Sequence, residues 1–269
     1  MNMRHVRTII KKEMKELKND KAVILGMIIV PLILTVIVPI LFFVIGSNEK
    51  SLKSFSTLTE AFVRKAGNML PDSISNDKAP LYLMYRYLFT PIILIIPVMI
   101  SNVLSSYSFV GEKEKKTIES LLYTPVNQRS LIMGKTLASA IPSLVITWVF
   151  AVIYSIIANI AGKKLFNETL FPNIDWIVML VLIIPAITFL SIILVIIVSQ
   201  KMNSSKSAQS VSILFVLPLI GSIVSQAVGA IVIDSKILFV VFGVIVLLDI
   251  IVFRFAARNF NKEKYILNM

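Results

Sequence analysis

The most reactive-looking stretch of this chain is charged and runs from Gly111-Glu-Lys-Glu-Lys-Lys-Thr-Ile-Glu to Gly134-Lys135-Thr136. A Gly-Lys-Thr triplet suggests a phosphate-binding loop, in which backbone amides and a lysine cradle a nucleotide. That loop also needs a glycine five residues earlier and a strand before it. Arg129 occupies the glycine position, and an apolar run follows the triplet. The triplet is therefore not read as a nucleotide site. Other chemistry is equally thin. There is no cysteine and a single histidine, His5, outside the apolar runs, so thiol chemistry and His-rich metal sites are excluded. Acyl transfer would lack a histidine base inside the apolar runs. Catalytic, cofactor and metal residues are expected to be absent.

The elements that position these residues are membrane spans. Of the 269 residues, 57% are hydrophobic and 16% charged, against roughly 45–50% and 25% in a soluble domain. A helix crosses a bilayer with ~20 apolar residues. Six stretches meet or approach that length: Ala22–Gly46, Leu88–Val110, Thr136–Ala161, Trp176–Ser199, Ala208–Ile233 and Ile237–Phe253. Solid runs argue against an outer-membrane barrel, whose strands alternate. Of the 27 Lys and Arg, 18 fall in 1–21, 111–135, 200–207 and 254–269. The positive-inside bias puts those segments and both termini in the cytoplasm, and accounts for the net charge of +12 without nucleic acid. The first run is too long for a signal h-region, no Ala-x-Ala site follows it, and it is expected to remain as a span. The whole chain is expected to form one all-α domain in the membrane.

Outside the spans, Met3, Val6, Ile10, Met14 and Leu17 recur at helical spacing, opposite Arg7, Lys11, Lys12, Lys15 and Lys18. This predicts an amphipathic interfacial anchor with its lysines near anionic head groups. The alternative is that it also touches a cytoplasmic partner. Segment 47–87 is read as an extracellular loop with a short helix over Ser56–Met69 and an aromatic belt of Tyr82, Tyr85 and Tyr87. Pro218 and Gly221 leave 208–233 as either one kinked span or a span plus a re-entrant segment. Asn102, Ser105, Ser106, Ser155, Asn159, Ser191, Ser212 and Gln226 either glue helices together or line a path. A path without fixed charge suits an apolar or amphipathic cargo. Asp249 is expected to pair with Arg254 or a neighbouring helix.

Glu112 to Tyr123 can form a helix of about three turns, with Ile118, Leu121 and Leu122 on one face. Thr124-Pro125 stops it, and Asn127 can cap the helix that enters the third span. Mixed charge around a small apolar face suits a docking element.

Gly111-Glu112, Thr117-Ile118-Glu119, Leu121-Leu122, Thr124-Pro125-Val126 and Gly134-Lys135 resemble the cytoplasmic signature of type 2 ABC exporter permeases, the class of drug, sodium, peptide and polysaccharide exporters. Lys206-Ser207-Ala208-Gln209 with Leu217-Pro218 is similar to the same family, and Lys116 departs from it where a small residue is usual. The resemblance implies a plasma-membrane exporter subunit that pairs into a dimer, most simply of two identical copies. It also implies a separate cytoplasmic ATPase pair that carries ATP and magnesium. Glu112, Thr117, Ile118, Glu119, Leu121, Leu122 and Pro125 would be coupling positions, and the N-terminal helix would be the connecting helix. The rivals are an ion-gradient carrier working through Asp249 and a non-transporting immunity or assembly factor.

Overall fold

The computed structural model describes residues 3–48, 63–64, 70–71, 74–75, 77–114, 128–199, 202, 204–212, 216–227 and 235–259. These residues are helical apart from short turns, and no strand occurs among them. The elements are α1 (Met3–Asn19), α2 (Val23–Gly46), α3 (Ala79–Glu112), α4 (Gln128–Phe166), α5 (Ile174–Ser199), α6 (Ser205–Ser212), α7 (Leu217–Ala227) and α8 (Ser235–Asn259). Among the described residues, five helices are long and apolar enough to cross a membrane: α2, α3, α4, α5 and α8.

The chain turns from α1 into α2 at Asp20, whose carboxylate accepts the Val23 amide at 3.2 Å and caps the new helix. The predicted 208–233 run is two described pieces. α6 packs beside the far end of α3, where the helix continues past Glu112 to Glu114 and Ser205 bonds that carboxylate. α7 packs against the opposite half of α3, around 84–93. Neither piece reaches spanning length alone.

Burial separates central helices from peripheral ones. In the most apolar 18-residue stretch of each, 67% of α3 and 56% of α5 is buried, against 17% of α2 and 11% of α8. α3 and α5, with α4 at an intermediate 33%, form the core, and the outer two present apolar surface to their surroundings. Serines join the core helices: Ser143 Oγ donates to the Pro97 carbonyl at 3.0 Å, and Ser191 Oγ to that of Val98 at 3.4 Å. Such bonds keep polar groups satisfied in an apolar interior. Ser106 and Ser155 bond within their own helices. Among the described residues, Ser105 Oγ and the buried Gln226 amide have no hydrogen-bond partner.

At the end of the bundle away from α1, the long side chains of α3 reach the α4–α5 turn. Lys78 Nζ donates to the Leu165 carbonyl at 2.8 Å, and Arg86 Nη1 to that of Leu170 at 3.1 Å. Asn159 closes the turn: its Oδ1 accepts the Leu170 and Phe171 amides, both at 2.9 Å, and its Nδ2 donates to the Phe171 carbonyl at 2.8 Å.

Three expectations need correcting. The helix that contains the second predicted span begins at Ala79, earlier than hydropathy suggests, because the half-buried Arg86 is solvated by the bundle, donating to the Leu170 carbonyl, and does not end the helix. Tyr82 and Tyr85 consequently leave the interfacial belt. Both are buried in the core, with the Tyr85 hydroxyl donating to the Pro39 carbonyl and that of Tyr154 to Tyr85 O at 2.6 Å. Asp249 forms no ion pair with Arg254 among the described residues, and its buried Oδ1 has no hydrogen-bond partner. Five residues on a helix set two side chains ~140° apart, so the pair does not share a face. Of the predicted Ser56–Met69 helix, only residues 63–64 are described, and both are helical.

Candidate functional site

The charged cluster at the α1 end of the bundle is the site. It begins with a glycine. A Cβ on Gly134 would lie 2.9 Å from both Cβ and Cγ2 of Ile9, so only a bare backbone lets α1 lie this close to α4. Val6 and Ile9 are buried along the contact line, followed one and two turns later by Glu13 and the half-buried Leu17. The next residue of α4, Lys135, reaches between helices. Its Nζ lies 3.1 Å from Glu13 Oε1 of α1 and 2.9 Å from Glu112 Oε2 of α3, and it donates to the Ser108 carbonyl. All three charged side chains are nearly dry, at 4% exposure for Lys135 and 8% for each glutamate.

One cation between two carboxylates leaves a net charge of −1. Lys12 offsets it from the solvent side, with Nζ 2.7 Å from Glu112 Oε1 and 3.4 Å from Glu16. Partial burial alone would lower the Lys12 pKa. The bond to Glu112 and the fields of Glu112, Glu13 and Glu16 override that effect, and the net displacement is upward. A further carboxylate extends the cluster. The α3 helix runs on to Glu114, whose Oε2 accepts from Ser205 N at 3.2 Å and from Ser205 Oγ at 2.8 Å. Glu114 thereby caps α6. α1, α3, α4 and α6 meet at the root of segment 115–127.

This geometry explains the Gly-Lys-Thr triplet. Gly134 admits α1, Lys135 ties three helices together, and the lysine is committed to carboxylates rather than open to a phosphate. The cluster is built to hold a position. Among the described residues, no group of three His, Cys, Asp or Glu side chains is placed to hold a metal ion.

The family model for ABC-2 family transporter proteins matches residues 7–256. This chain belongs to the ABC-2 transporter family. No individually curated protein matches it. The chain is thus a multi-pass membrane transport component whose family role is not itself catalytic.

In this ABC-2 transporter the predicted residues divide. Glu112 is described and lies inside the ion cluster, in the last turn of the span. Thr117, Ile118, Glu119, Leu121, Leu122 and Pro125, with the Asn127 cap, lie outside the described residues. In α1, Val6 is buried and Ile10, Met14 and Leu17 are half-buried, while Met3 is 65% exposed. Lys12, expected among the outward lysines, turns instead to Glu112. Glu13, Gly134 and Lys135 escaped the sequence reading of α1. The available signal was Glu13 itself, an acid nearly opposite the basic face of a helix otherwise apolar on that side.

Proposed function

We propose that this chain is the permease subunit of an ATP-driven ABC exporter. It crosses the membrane six times, with α6 and α7 belonging to one interrupted crossing and both termini in the cytoplasm. Segment 115–127 docks a separate ATPase subunit that carries ATP and magnesium. Two permease copies and two ATPase copies assemble in the plasma membrane, the permeases most simply as a homodimer. The entire chain works as one permease domain.

One observation supports this reading most: the root of segment 115–127 is held by buried charge. Glu112, at the head of the predicted coupling positions, is locked to Lys135 and, through it, to α1. A segment that transmits force from an ATPase needs a stiff mounting, and a solvated loop does not. Membrane family and mounting together favour a docked engine over an ion gradient.

The test is a mild-detergent pull-down from native membranes, compared with a Glu119→Lys/Leu122→Asp variant. A near-stoichiometric ATPase that is lost from the variant is the expected result. Recovery of the wild-type chain without any ATPase, under conditions where another ABC exporter keeps its own, would refute the proposal. Transport that stops when the ion gradient collapses at constant ATP would point instead to gradient-driven carriage through Asp249.

A further inference from the structure

α1 has four distinct sides, and its packing fixes where each one points. At ~100° per residue, Val6, Ile9 and Glu13 form one line, and that line is buried on α4. Arg7, Lys11, Lys15 and Lys18 fall within an arc of ~80° centred opposite that line. All four are exposed, and among the described residues none forms an ion pair. The two flanks differ. One carries Met3, Ile10 and Met14. The other, roughly opposite it, carries Lys12 and Glu16, which join the cluster at the root of segment 115–127.

These four sides orient the helix. The apolar flank is the side that suits acyl chains. The Lys12–Glu16 flank is turned to water, where an ATPase would approach. The body side is occupied by α4. The cationic strip is then directed sideways, away from the chain and along the plane in which α2 begins, three residues after Asp20. In the six-span reading proposed above, that is head-group level. We propose that Arg7, Lys11, Lys15 and Lys18 form a binding surface for anionic phospholipid head groups.

The charge pattern favours lipid over an acidic protein. The strip contains no acid, because Glu13 is buried and Glu16 is engaged with Lys12. Its four cations follow one another along the helix, which suits a row of mobile phosphodiesters better than a folded partner placed on the other flank. Because Glu13 sits directly behind the strip, lipid held there presses α1 onto Gly134 and Lys135. Membrane composition would then set how firmly the root of the segment is held.

The experiment uses the full-length chain in neutral detergent and does not depend on any ATPase, so it stands or falls separately from the exporter reading. Lipid retained from mixed phosphatidylglycerol and phosphatidylcholine is measured by native mass spectrometry. The wild type is compared with Arg7→Gln/Lys11→Gln/Lys15→Gln/Lys18→Gln and with Lys163→Gln/Lys164→Gln at the other end of the bundle. Each cation near an anionic surface is worth about fivefold in affinity, so retained phosphatidylglycerol should fall by roughly tenfold or more in the quadruple variant. It should be unchanged in the control, and phosphatidylcholine should be unaffected in both. Lys11→Gln/Lys15→Gln alone should lose an intermediate amount, which guards against a folding artefact in the quadruple variant. Added salt should weaken wild-type retention. Equal retention by wild type and quadruple variant, or no wild-type preference for phosphatidylglycerol, would overturn the proposal. So would loss of a bound soluble protein from the quadruple variant with lipid retention intact.

Discussion

Removing the Lys135 ammonium should be among the most damaging single changes in this chain. Its Nζ contacts two carboxylates at 2.9 and 3.1 Å. At an effective dielectric of ~20, each contact carries about 5 kcal/mol of attraction, most of which compensates the desolvation of dry charges. Lys135→Met keeps the stem and deletes the charge. Glu112 then has only Lys12 among these partners, and Glu13 faces a thioether-bearing chain in a site with 8% exposure. Stranding buried charge in this way costs about 3–5 kcal/mol. For a chain of this size that is roughly 10 °C in the thermal midpoint. The assay is thermal unfolding of the detergent-purified chain, read by aggregation or intrinsic fluorescence. The triple variant Glu13→Gln/Glu112→Gln/Lys135→Met removes both charges that were stranded and should recover more than half of the loss. Wild-type stability in Lys135→Met would refute the reasoning. So would a triple variant as unstable as the single one, because the damage would then come from volume rather than charge.

Other consequences are as direct. Gly134→Val drives a side chain into Ile9 and should cost about 1–3 kcal/mol, with partial rescue by Ile9→Ala, measured as the thermal midpoint. Asn159→Ala leaves the Leu170 and Phe171 amides without their acceptor, and at about 1–3 kcal/mol per unsatisfied group the α4–α5 turn should become sensitive to protease. Asn159→Asp, which keeps the acceptor, should be milder in the same digestion. The Lys12 pKa is raised on folding, so its contribution is fully present below the ordinary lysine value of 10.5 and is lost as pH rises through the raised folded value. Lys12→Met should therefore be less stable than wild type at pH 8, with the gap closing only above that lysine value; a gap that is constant across the range would show that charge is not the cause.

How much was legible in advance depended on whether a local pattern carried the information. Continuous apolar runs announce that α2, α4, α5 and α8 exist, since the bilayer imposes a length that composition alone reveals, although α4 runs from Gln128 to Phe166 rather than from Thr136 to Ala161. The 3–4 spacing of Met3, Val6 and Ile10 likewise announces α1. The start of α3 was not legible. Arg86 and Lys78 look like loop residues until the carbonyls that receive them, on Leu170 and Leu165, are brought alongside from the α4–α5 turn.

The membrane class, the helices and the resemblance of residues 111–135 to a docking element thus came from the sequence by itself, because each is written in runs or spacings of neighbouring residues. The meaning of Gly134-Lys135 was decided only by the tertiary structure. Its partners, Ile9 and Glu13, are more than 120 residues away in the chain. A buried charge is tolerable only when it is paired and hydrogen-bonded, and here the counter-charges arrive from two other helices. No local pattern records that convergence, and packing α1 and α3 against α4 supplies it.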